Sequence, residues 1–163
     1  MEIINKLLSQ KEFKEYINQK KITRPIDKII LHHTHCTLEE WQGGERSIEY
    51  YKDLYEQKGW ATGPHIFVAP EGIWLFTDIN TQGTHANKGN KGSVGIEMVG
   101  RYNKKVPTGK GWEDTKFALK TLMKKLRIVL GDIHLHREYN KQKFCPGRSV
   151  TTQWLKSELG HKQ

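Results

Sequence analysis

The chain has 163 residues, the size of one domain with its own core and little left over for a second. Lys and Arg number 27 against 18 Asp and Glu, so the formal charge is +9; the expected partner is anionic, whether nucleic acid, membrane surface or an acidic polymer such as a bacterial wall. No apolar run approaches the length of a membrane span, and Met1-Glu2-Ile3-Ile4-Asn5-Lys6 lacks the plan of a signal peptide, which predicts synthesis in a cytoplasm without signal-directed export.

In chain order, Ser9-Gln10-Lys11-Glu12 reads as a capping box opening a helix to about Gln19. Arg24-Pro25-Ile26-Asp27 marks a turn, and Lys28 to His33 reads as a buried strand. Thr37-Leu38-Glu39-Glu40 suits a turn cap. Ser47 to Gln57 has helical spacing in Ile48, Tyr51, Leu54 and Tyr55, ended by Gly59-Trp60-Ala61-Thr62-Gly63-Pro64. His65 to Val68 and Ile73 to Phe76, around Pro70-Glu71-Gly72, predict a hairpin. Thr81 to Gly92 is a loop by composition, Val94 to Val99 another buried strand, and Lys104 to Gly111 a basic loop. From about Asp114 to Leu130, Ala118, Leu119, Leu122, Leu126, Val129 and Leu130 recur at helical spacing, with Lys116, Lys120 and Lys124 opposite and Gly131 as the stop. Ile133 to Leu135 is a short strand and Thr152 to Leu159 a terminal helix. The expectation is an α/β fold, a mixed central β-sheet flanked by helices in a single domain. Residues 1–24 form a helical N-terminal extension in this reading, and about 25–160 the core.

Eight histidines is a high count for this length. His32 closes the first buried strand, while His136 and Cys145 lie far along the chain, with Pro146-Gly147 turning it straight after the cysteine. Two imidazoles and a thiolate suit Zn²⁺, which favours N and S ligands in a tetrahedron; three of them leave a fourth position open, as catalytic sites do. On spacing alone, the same histidines serve as well as hydrogen-bonded structural residues. One bridge between Cys36 and Cys145 is arithmetically possible, but a cytoplasmic origin argues for reduced thiols, Cys36 free among them.

At these residues the sequence resembles the zinc N-acetylmuramoyl-L-alanine amidases, the superfamily that includes the amidase-type phage lysozymes and the peptidoglycan recognition proteins. The matching segments are Asp27-Lys28-Ile29-Ile30-Leu31-His32-His33-Thr34, Gly63-Pro64-His65-Ile66-Phe67-Val68, Gly83-Thr84-His85-Ala86, Val94-Gly95-Ile96-Glu97-Met98-Val99-Gly100, and His136-Arg137-Glu138 with Lys143-Phe144-Cys145-Pro146-Gly147. They keep the family's order over about residues 25–155.

The resemblance implies hydrolysis of the amide between N-acetylmuramic acid and L-alanine in peptidoglycan, with Zn²⁺ held by His32, His136 and Cys145. His32 is preferred to His33 because the family's ligand is the first histidine after the apolar strand, and strand alternation turns His33 to the other face. His134 would share the face of His136, but the family's His-Arg-Glu pattern selects His136. Lys143 matches a family lysine that stabilises the oxyanion on the amide carbonyl. His85 matches a family histidine beside the substrate, which implies substrate contact or oxyanion support. Pro64 stands where many relatives have a tyrosine, so that tyrosine's role does not carry over. Some amidases that also lack it use a glutamate on the strand matching Val94 to Val99, here Glu97, which is the expected general base.

A lone catalytic domain without a signal peptide implies a phage or prophage endolysin, monomeric, acting on the cell wall after release. The alternatives are a non-catalytic peptidoglycan-binding module, though such relatives typically lose the cysteine ligand, and a cytoplasmic amidase that recycles muropeptides. Residues 101–127 carry nine Lys/Arg and two Asp/Glu, a basic surface expected to draw the protein to an anionic envelope. No zinc finger, RNP pattern or basic heptad accompanies that charge, so nucleic acid is not the expected partner.

Overall fold

The computed structural model describes residues 1–160. In chain order its strands and helices are β1 (Lys6–Leu8), α1 (Gln10–Gln19), β2 (Lys28–His33), α2 (Gly44–Gln57), β3 (Ile66–Ala69), β4 (Gly72–Leu75), β5 (Ser93–Met98), α3 (Gly109–Leu126), β6 (Ile133–Leu135) and α4 (Thr152–Gly160). The strands form one sheet in the order β1-β4-β3-β5-β2-β6. β3, β5, β2 and β6 run parallel, and β1 and β4 supply the antiparallel edge. This is the expected single-domain architecture, with a mixed sheet between helices.

Side chains alternate across each strand, so every strand serves two layers. On one face Ile29, Leu31, Ile66, Val68, Val94, Ile96 and Met98 meet Phe13 and Ile17 of α1 and Leu119 and Leu122 of α3 in one apolar core. On the other face Phe67, Ala69, Trp74 and Phe76 pack against Ile48, Tyr51 and Tyr55 of α2. That second face also carries His32 and Glu97, which stand opposite each other in register, with Phe67 opposite Glu97 on its other side.

Helix α1 begins as its sequence predicts: Glu12 N–H donates to Ser9 Oγ at 3.3 Å, and Ser9 N–H donates to the Glu12 carboxylate at 2.8 Å. Helix α2 starts at Gly44, ahead of the expected Ser47, because its cap comes from a distant residue. The Glu71 carboxylate, in the β3–β4 turn, accepts Gly44 N–H at 3.1 Å together with the indole N–H groups of Trp41 at 3.1 Å and Trp74 at 2.9 Å. Helix α3 ends at Leu126, short of Gly131. Arg127 takes the left-handed conformation (φ 57°) and Ile128 N–H donates back to Met123 O at 3.0 Å, closing the helix while Ile128 is buried. Val129, expected on the apolar face, is therefore 63% exposed.

Strand β1 was not expected. It pairs Lys6 to Leu8 with Leu75 to Ile73 at the sheet edge. Of the three lysines expected on the outer face of α3, Lys120 and Lys124 are exposed. Lys116 instead pairs with Glu113 at 2.8 Å and lies 5.9 Å from the centre of the Trp112 ring. No helix among the described residues is long and apolar enough to cross a membrane.

Candidate active site

The site grows out of the sheet register. β6 lies parallel to β2 with Ile30 opposite His134, so the next same-face position along each chain, inside β2 and just past β6, brings His136 beside His32. The two Nδ1 atoms are 3.1 Å apart, and Cys145 Sγ lies 3.7 Å from His32 Nδ1. Arg137 folds the intervening loop back. Its N–H donates to Cys145 O at 3.0 Å, and its guanidinium donates to Gly147 O at 2.9 Å and to Val150 O. The chain must pass close under Tyr102 at this point: a Cβ on Gly147 (φ 111°) would sit 2.2 Å from Tyr102 O. His33 N–H donates to Cys145 Sγ at 3.4 Å.

One donor atom each from His32, His136 and Cys145 falls within 4.8 Å of the others. A tetrahedral zinc with its usual bond lengths needs N–N separations of about 3.3 Å and N–S separations of about 3.6 Å, close to the 3.1 and 3.7 Å found. Electrostatics point the same way. Burial holds His32 well below the ordinary imidazole range, and burial with the nearby Lys143 charge holds His136 down at about 4, so both rings are neutral and offer lone pairs. Burial and the neighbouring Glu97 push the Cys145 thiol up, so a thiolate there calls for a cation beside it. The donor set fits zinc.

Glu97 Oε1 lies 3.9 Å from His32 Nδ1, and its buried Oε2 has no hydrogen-bond partner. Burial pushes its pKa up to about 8, with Lys58 pulling weakly the other way. A carboxyl in that range can both take and give a proton near neutrality. The cluster opens into a cleft of about 690 Å³. Lys143 lines it, on the exposed loop before Cys145, with no ion-pair partner among the described residues. Tyr51, Tyr55 and Lys58 of the α2 segment line it too. Lys58 Nζ sits 5.2 Å from the Trp60 ring centre and 5.6 Å from that of Tyr55.

His85 lines the same cleft, beside His32. It is 5% exposed, with Nδ1 2.9 Å from His32 Nε2 and Nε2 3.2 Å from Ser93 Oγ. Its two ring nitrogens thus face His32 and Ser93. His33 is held apart from the cluster, its Nδ1 accepting Tyr102 N–H at 3.2 Å, and His134 Nδ1 is 2.6 Å from Glu138 Oε2. Cys36 is a free thiol beside Thr34 Oγ1 at 3.0 Å. Pro64 contributes backbone: its carbonyl accepts Thr77 N–H at 3.2 Å. The cleft tyrosines were legible only as apolar helix periodicity, and Lys58 and Ser93 carried no signal beyond their neighbours.

The family model for N-acetylmuramoyl-L-alanine amidase matches residues 22–148. Among solved structures, the chain is similar to the endolysin N-acetylmuramoyl-L-alanine amidase LysCS from Clostridium intestinale, at 25% identity and TM-score 0.71 over 85% of this chain and 86% of that one. Similarity of fold extends to the Ph2119 endolysin from a Thermus scotoductus bacteriophage, at 21% identity and TM-score 0.63 over 91% and 97% of the two chains. It extends also to Drosophila PGRP-LB, at 21% identity and TM-score 0.71 over 93% of each. A search of curated proteins returns no match.

Proposed function

The chain belongs to the N-acetylmuramoyl-L-alanine amidase family, and on that premise we propose that it hydrolyses the amide between N-acetylmuramic acid and L-alanine in peptidoglycan, with zinc held by His32, His136 and Cys145. The observation that carries this reading is the convergence of two neutral imidazoles and a thiol beside a buried carboxyl with a free oxygen, all at the floor of one cleft. Zinc, when bound, supplies Lewis acidity that activates water and polarises a carbonyl.

The remaining work belongs to side chains. Glu97 takes a proton from the attacking water as the oxygen adds to the amide carbon, then delivers it to the L-alanine nitrogen as the C–N bond breaks. The products are a lactyl carboxylate and a free amine. The Lys143 ammonium, at the cleft mouth, stabilises the negative charge that develops on the carbonyl oxygen. Arg137 and the His33 backbone hold Cys145 in place. In the same reading the protein is a monomeric endolysin, released from the cytoplasm to lyse a host, with exposed Lys120 and Lys124 drawing it to the anionic envelope. A purely binding role is the second reading, and the presence of all three donors, Cys145 included, argues against it.

The test is digestion of purified peptidoglycan by metal-replete protein, followed by mass spectrometry and elemental analysis. Free amines on L-alanine with uncut glycan strands, and one zinc per chain, are the expected result. New reducing ends, or stem cleavage with lactyl-alanine bonds intact, would overturn the bond assignment, and tight binding without products would favour the second reading.

A further inference from the structure

We propose that Ser93 is a positioning residue: acting through His85, it fixes the ring tautomer of His32 that leaves Nδ1 bare toward His136 and Cys145. The starting point is a carbonyl, which can only accept. Ser93 Oγ is 3.0 Å from Asn90 O and 3.2 Å from His85 Nε2. The single hydroxyl hydrogen goes to the carbonyl, so Ser93 Oγ accepts from His85, and His85 carries its proton on Nε2. Its Nδ1 is then a lone pair, which at 2.9 Å accepts the Nε2–H of His32. His32 Nδ1 is left as a lone pair, 3.1 Å from His136 Nδ1 and 3.7 Å from Cys145 Sγ. Reversing any one tautomer sets two donors or two lone pairs against each other at buried positions, where such a mismatch is costly; Ser93 is 0% and His32 1% exposed.

Asn90 holds both ends of this chain. Its backbone carbonyl takes the Ser93 hydrogen, while its side-chain Oδ1 accepts the backbone N–H groups of His85 at 3.0 Å and Ala86 at 2.6 Å. Packing prevents the imidazole from leaving. A Cβ on Gly95 would lie 2.8 Å from three atoms of the His85 ring, and a Cβ on Gly83 would lie 3.0 Å from its Cδ2. Glycine on β5 is thus the seat of the ring, and the residue two positions earlier on the same face sets its polarity. Orientation of a ligand by its outer neighbours changes metal affinity about 10- to 100-fold.

The inference rests on His32 being a ligand, but its first readout requires neither zinc nor activity. In metal-free wild-type protein labelled with ¹⁵N-histidine, the coupling pattern of each ring reports which nitrogen is protonated; both His32 and His85 are expected to carry hydrogen on Nε2. Ser93→Ala is expected to admit the Nδ1–H form of His85 and to weaken zinc in chelator competition by about tenfold or more. Ser93→Thr, which keeps the hydroxyl, restores both. Hydrogen on Nδ1 of His85 in the wild type overturns the proposal, as does a Ser93→Ala protein with unchanged tautomers and zinc affinity. Should Ser93→Ala fail to fold, the wild-type spectrum decides alone. A protein with these tautomers that binds zinc and cuts no peptidoglycan would sink the amidase reading and leave this one standing.

Discussion

Strand β5 presents two kinds of surface, one residue apart. Val94, Ile96 and Met98 enter the apolar core beneath α1 and α3, where contacts are numerous and directionless. Ser93, Gly95 and Glu97 face the other way, and each has a specific relation to one neighbour: a hydroxyl aimed at His85, an empty side-chain position under its ring, and a carboxyl with one oxygen left unpartnered. The first surface is defined by volume and tolerates any filling of similar shape. The second is defined by direction, so a change of one atom type alters chemistry without altering shape. Stability and function should therefore separate along a single strand.

The sharpest way to break that separation is at the donors themselves. Cys145→Ser should remove nearly all turnover and weaken zinc, whereas Cys36→Ser, outside the cluster, should leave both near wild type in parallel kinetic and metal assays. Equal damage from the two would mean that the cluster alone does not define the directional surface. Next comes a pair of neighbours on β5. Glu97→Gln should lower turnover by about a hundredfold or more with the fold and zinc retained. Ile96→Ala should cost about 2–5 kcal/mol of stability while the molecules that remain folded turn over normally. A denaturation midpoint and a kcat for each variant suffice, and a stability loss in the first or a catalytic loss in the second would erase the distinction.

Acid should act through the histidines whose pKa burial lowers, His65 among them. His65, on the side of Phe67, accepts Gly95 N–H on Nδ1 at 3.0 Å and donates from Nε2 to Thr81 O at 3.0 Å. Burial holds its pKa down at about 4, while in the unfolded chain it returns to about 6.5. The unfolded state then binds the extra proton, so the stability this group contributes is intact above about pH 6.5 and drains away as pH falls toward 4. Thermal midpoints of metal-free protein should fall across that window, and His65→Gln, even if less stable at neutral pH, should remove part of the slope, the rest belonging to the other histidines that burial lowers, His33 and His136 among them. The smallest effect is expected outside both surfaces: reversing Lys120 and Lys124 to Glu should slow lysis of whole envelopes at low salt and leave hydrolysis of a small muropeptide unchanged. Parallel loss on both substrates would remove the basic face from any docking role.

The two surfaces were not equally legible. The buried strands β2 and β5 stood out as apolar runs, and the metal-site candidates stood out by residue type and by resemblance. What escaped depended on distant partners. The start of α2 lay hidden behind Gly43-Gly44, which reads as a breaker, because its cap is Glu71, far along the chain. β1 has three residues and an exposed Leu7, too short for alternation to register. His85 sits in a stretch whose Gly, Asn and Lys content signals solvent, yet Asn90 and two glycines draw its ring inside. Residue type announces chemistry, whereas the aim of a side chain is set by atoms that sequence does not list side by side.

The Glu71 carboxylate ties the N-terminus of α2 to the hairpin and collects two indole N–H groups in doing so. Since α2 supplies one wall of the cleft, any opening of that wall at its root must strip the acceptor from Trp41 and Trp74 together. Indole emission is sensitive to the charge and hydration around the ring, so the molecule carries its own optical gauge. With Trp60 of the cleft lining, and Trp112 and Trp154, whose rings lie 4.6 Å apart on the far side of the sheet, changed to phenylalanine to quiet the background, intrinsic fluorescence would follow the aperture of the cleft as substrate arrives, with no attached dye.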